Sequence, residues 1–132
     1  MEMMMVCSRV VALVVAGAAS VSVLSGVAVA ADLNAPYARA AAKVAADGTL
    51  LEGKNVASVT RAGAGTYCVK VSDAAIDLAS AAVVATLNNN RGEITAIGAP
   101  HGYCGNATDT ITVVTSNSAG TGTDRPFTVA VL

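Results

Sequence analysis

From residue 56 onward, apolar and polar positions alternate in short runs, each closed by glycine, asparagine or proline. Residues 56–61 and 66–71 flank Ala62-Gly63-Ala64-Gly65, a pattern that predicts a hairpin whose glycines supply the positive φ of a tight connection. Successive side chains of a strand point to opposite faces. In the second run Tyr67, Val69 and Val71 therefore share one face, and Thr66, Cys68 and Lys70 share the other. Further runs at 81–87, 93–99, 110–115 and 127–132 carry the same signal, with Ile111, Val113 and Thr115 on one side and Phe127, Val129 and Val131 alternating after Pro126. Asn88-Asn89-Asn90-Arg91-Gly92 and the polar stretch 116–124 read as connections. This spacing predicts an all-β fold, a small antiparallel sandwich or barrel of about seven to eight strands.

The stretch 37–46 has two readings. Asn34-Ala35-Pro36 opens a helix in one of them, with Tyr37, Ala40, Ala41 and Val44 at helical spacing and Asp47-Gly48 as its stop. In the other, 37–44 is a strand, Asp47-Gly48 is a turn and the chain returns from Thr49. Alanine favours the helix; the Asp-Gly pair favours the hairpin.

Ahead of these elements lies an apolar segment, 10–29, preceded by Arg9 and ended by Ala28-Val29-Ala30-Ala31. A charged start, an apolar middle and an A-x-A end form an export signal, predicting cleavage after Ala30, with Ala31 as the alternative. Gly17, Ser20, Ser22, Ser25 and Gly26 interrupt the run and weaken the competing reading of a retained membrane anchor. Residues 1–30 are thus expected to be a signal peptide and 31–132 a single secreted β domain.

Removal of the leader leaves two cysteines, Cys68 and Cys104, and an exported pair is expected to oxidise. Since Cys68 points away from the apolar face, loop 100–109 must then fold over the outer face of its strand. Leu, Ile, Val and Phe supply 22 of the residues from Ala31 onward. That core is thin, and the bond should contribute substantially to holding it. The same segment carries 7 basic and 8 acidic side chains with no basic cluster. This argues against nucleic acid and, once the leader is gone, against anionic membrane surfaces as partners.

Several strings in order, 38–50 (A-R-A-A-A-K-V-A-A-D-G-T-L), 54–61 (K-N-V-A-S-V-T-R), 65–71 (G-T-Y-C-V-K-V), 104–109 (C-G-N-A-T-D) and 124–129 (D-R-P-F-T-V), resemble a loose group of short exported bacterial β-rich proteins of uncharacterised function. The resemblance implies an opening hairpin for the first segment and supports pairing of the two cysteines. It brings no catalytic residue.

The search for chemistry yields little. His101 could be set beside Asp109 and one of the serines, but triads are defined by geometry and no G-x-S-x-G elbow is present. A metal site would need three or four ligands, and using Cys104 would strand Cys68; no metal or other cofactor is expected. Asp73 and Asp77 read as turn acids, Gly63-Ala64-Gly65 as a turn, and Asn106-Ala107-Thr108 as a chance sequon. The expected function is a non-enzymatic secreted structural or interaction module. The alternative is a binding module for envelope polysaccharide or a protein partner, through a patch of His101, Tyr103 and Lys70 on loop 100–109 and the strand beneath. A small hydrolase is the third reading.

Overall fold

A computed structural model describes residues 29–132. The segment read as an export leader lies, up to residue 28, outside the described residues. Nine strands follow: β1 (Ala31–Asp32), β2 (Ala40–Val44), β3 (Leu50–Lys54), β4 (Val56–Gly63), β5 (Thr66–Val71), β6 (Val83–Leu87), β7 (Glu93–Ile97), β8 (Thr110–Ser116) and β9 (Phe127–Val131). They form a five-stranded sheet, β1-β3-β2-β9-β6, and a four-stranded sheet, β4-β5-β8-β7. Every pairing is antiparallel except β1 with β3. The fold is the expected sandwich.

The first segment is a hairpin. β2 pairs with β3 on one side and β9 on the other, around a turn in which the Thr49 N–H donates to Asp47 Oδ1 at 2.9 Å. Ala40, Ala41 and Ala42 are all buried. Their small side chains suit an interior strand flanked by a neighbour on each side. Helix propensity, worth a few tenths of a kcal/mol per residue, loses here to tertiary pairing. Tyr37, expected to begin this strand, instead lies before it and is 94% exposed.

The β4–β5 hairpin falls where alternation placed it. At its turn Gly65 has φ +70°, and a Cβ there would run into the Thr115 carbonyl oxygen and come within 2.8 Å of the Thr123 nitrogen. Only glycine fits this approach. β4 is an edge strand with two irregularities in its register, between Val56 and Ser58 and between Arg61 and Gly63.

Between the sheets, Tyr67, Val69, Val71, Ile111 and Val113 from one layer meet Val44, Phe127, Val129 and Val131 from the other. The Tyr67 and Phe127 rings approach to 4.9 Å between centroids, tilted by 57°, a favourable aromatic geometry. The Tyr67 hydroxyl donates to the Ala46 carbonyl oxygen at 2.6 Å, so this buried ring keeps its polar end satisfied. The connection 72–82 closes one end of the core by burying Ile76 and Leu78.

Candidate interaction site

Alternation puts Cys68 on the outer face of β5, and it is bonded there to Cys104 with a Cα–Cα distance of 5.7 Å. Loop 100–109 is thereby drawn across the outer face of the β5–β8 pair. Beneath it Thr112, on the same outer face, is fully buried, and its hydroxyl donates to Cys104 Sγ at 3.1 Å. The loop shields a polar β8 residue that would otherwise face water.

The loop is stiffened by its own backbone. A single 3-10 turn, Gly102–Cys104, begins at His101 and ends at Gly105 in the left-handed region, φ 69°. His101 Nδ1 accepts the Tyr103 N–H at 3.1 Å, which leaves the proton of the neutral imidazole on Nε2. The His101 carbonyl accepts from Cys104 and Asn106 at 3.1 and 2.9 Å. The Tyr103 ring is 62% exposed and meets the His101 ring edge-on, with centroids 4.7 Å apart and planes at 72°. An exposed aromatic ring is therefore supported along one side by the His101 ring.

Lys70 behaves differently from the other two residues of the expected patch. Its ammonium lies 3.9 Å from Asp109 Oδ2, with both side chains about half exposed. Such a pair is worth little in stability, but it turns Lys70 towards the end of the loop. His101 and Tyr103 form one pair; Lys70 and Asp109 form another. A strand rises ~3.4 Å per residue, so Lys70 sits about 7 Å along β5 from Cys68 at the loop's anchor.

Next to Lys70 is a depression of about 670 Å³ between the turn after β5 and the end of the loop, lined by Lys70, Ser72, Asp73, Ile76, Thr108 and Asp109 among others. Sequence reasoning did not find it, because it arises only when Ile76 and Leu78 pull 72–78 onto the core. Asp73 and Asp77 serve turns there: Asp73 Oδ1 accepts the Ala75 N–H, and Asp77 accepts the Ala79 N–H and the Ser80 hydroxyl.

The hydrogen bond made by the His101 ring runs to a backbone amide rather than to a serine or carboxylate, and Asp109 Oδ1 accepts from Thr110. Among the described residues no group of three or more His, Cys, Asp or Glu side chains is placed to hold a metal ion.

A second cluster escaped sequence reasoning, since its parts are far apart in the chain. Asp124 accepts the Gly65 N–H at 2.7 Å and the Arg61 Nε–H at 2.8 Å, tying the long connection before β9 to the β4–β5 turn. The Gly65 amide holds the Asp124 carboxyl below its usual range against the opposing effect of desolvation, with Arg61 adding to the lowering. Burial, with Asp124 nearby, pushes the Tyr67 phenol above its ordinary value. These are bracing contacts rather than a reactive centre: Arg61 and Asp124 neutralise each other and the phenol is committed to Ala46.

Neither a protein-family model, nor a curated protein, nor a solved structure matches the chain.

Proposed function

We propose that this chain is an exported, non-enzymatic interaction module, and that loop 100–109 is its contact surface. One observation carries the reading. The loop is covalently clamped to the sheet and presents Tyr103 as an exposed ring propped by His101. A rigid aromatic with a polar end is the side chain that contributes most per residue at contact surfaces, and pre-ordering it reduces the entropy lost on binding. The disulfide accords with an oxidising compartment, and the apolar segment ending in Ala28-Val29-Ala30 accords with delivery to one.

The test is affinity capture from the envelope of the producing organism, with the native protein and its Tyr103→Ala variant compared side by side. Material retained by the native protein and lost with the variant supports the reading. Identical retention by both, or none by either, overturns it. Mass analysis of the secreted protein, with an amino terminus expected at Ala31, tests the export half separately.

A further inference from the structure

The loop that carries Tyr103 also walls the depression beside it, since Thr108 and Asp109 are its last residues and both line that cavity. We infer that the Tyr103 ring and the Lys70–Asp109 depression are two parts of one binding site, and that its ligand is a neutral, hydroxyl-rich glycan. The inference rests on the loop being the contact surface and adds the class of ligand.

The lining determines the class. Lys70 supplies donors, Asp73 and Asp109 supply acceptors, and Ser72 and Thr108 supply hydroxyls that do both; Ile76 contributes an apolar floor. Mixed donors and acceptors over a small apolar surface match the faces of a sugar, which are hydroxyl-edged and carbon-centred. At about 670 Å³ the cavity falls within the usual range for a small-molecule site, roughly 300–1,000 Å³. Tyr103, further along the same loop, offers a flat face for a second ring of the same chain.

Charge excludes the anionic polymers. Three carboxylates, Asp73, Asp77 and Asp109, line the cavity against one lysine, with the Arg39 guanidinium on the Ala75 carbonyl as the second cation beside it, so a phosphate- or uronate-rich chain meets a net negative surface. A cation finds little free charge either, because Asp77 uses both oxygens locally and Asp109 faces Lys70. A protein partner would need an apolar centre to its footprint. The other exposed large apolar side chains, Val29, Tyr37, Leu51, Val84 and Leu132, belong to the five-stranded sheet, its connections and the segment leading into it, and none of them lines the cavity.

The experiment is amide chemical-shift mapping on the isotope-labelled native protein. The probes are hexaoses of glucose, mannose, arabinose and N-acetylglucosamine at millimolar concentration, with a heparin hexasaccharide as the anionic probe. At least one neutral hexaose is expected to shift the amides of Ser72, Asp73, Tyr103, Thr108 and Asp109 together. Its affinity should fall about tenfold in Tyr103→Ala and measurably in Thr108→Val, both exposed positions whose variants should retain a folded spectrum. Absence of shifts with all four neutral probes, shifts confined to other elements, or preference for heparin would overturn the inference. If envelope capture meanwhile returns a protein whose retention depends on Tyr103, the glycan is refuted and the contact surface stands. If Tyr103→Ala changes neither assay, both fall.

Discussion

Replacing both bridging cysteines, Cys68→Ala with Cys104→Ala, tests how far this fold depends on its one covalent brace. The bond joins residues 36 apart in sequence. In the chain-entropy treatment a closed loop of that length destabilises the unfolded ensemble by about 3.8 kcal/mol. The native state adds a smaller loss, because Thr112 would give up its sulfur contact and the loop above it would loosen. A domain of this size has a total stability of roughly 5–15 kcal/mol, and the core here contains only one fully buried pair of aromatic rings. At 4–8 °C per kcal/mol, the variant should melt about 15–30 °C below the oxidised protein. Circular dichroism melts and urea titrations of both forms measure this, with the urea slope expected to steepen as the unfolded chain gains freedom. Thr112→Val in the oxidised background separates the two contributions, and should cost about 1 kcal/mol at most. A double variant melting within about 4 °C of the parent, near 1 kcal/mol or less, would refute the reasoning and place the stability in the sheets alone.

Four other perturbations probe the bracing contacts. Tyr67→Phe keeps the ring packing but removes the donor to Ala46, and should cost about 1–2 kcal/mol in urea unfolding. Gly65→Ala forces a side chain into the Thr115 carbonyl at a positive φ, and should lower stability by more than about 1 kcal/mol, read as a shift of the urea midpoint. Asp124 has a folded pKa depressed below the ordinary carboxylate range, chiefly by the Gly65 amide. Its stabilising effect is therefore complete above the unfolded pKa and is lost as the pH falls through the lower, folded value. Acid titration of stability should show a loss below pH 3.8 that is shallower in Asp124→Asn. Tyr67 has the opposite sign at the alkaline end, where its raised pKa makes stability fall as the pH climbs above 10.

The period-two pattern made much of this fold legible in the sequence. In β5 it assigned Tyr67, Val69 and Val71 to the core and Cys68 to the outside, and from that one face assignment the covering loop followed. Local patterning could not decide the β2 stretch, where three alanines are as compatible with a helix as with a buried strand; the partners that decide it, β3 and β9, lie on both sides in space. β1 carried no signal, because two residues make no period and their parallel pairing with β3 is wholly non-local. The site was half visible. His101 and Tyr103 are two residues apart and came together. The Lys70–Asp109 pair depends on the β5–β8 register and the depression on where 72–78 folds back, and no spacing in the chain specifies either.

β4 is the longest strand of the sandwich and lies at a margin, where its spare amides and carbonyls could template a neighbouring molecule. Its two register breaks leave only the stretch between Ser58 and Arg61 straight enough to accept a foreign strand. Arg61, tethered to Asp124, sets a charged side chain at one end of that stretch. Interruptions of this kind are how sheet proteins avoid growing into fibrils. The kinked border is thus a safeguard against self-assembly, built from backbone geometry and one tethered charge.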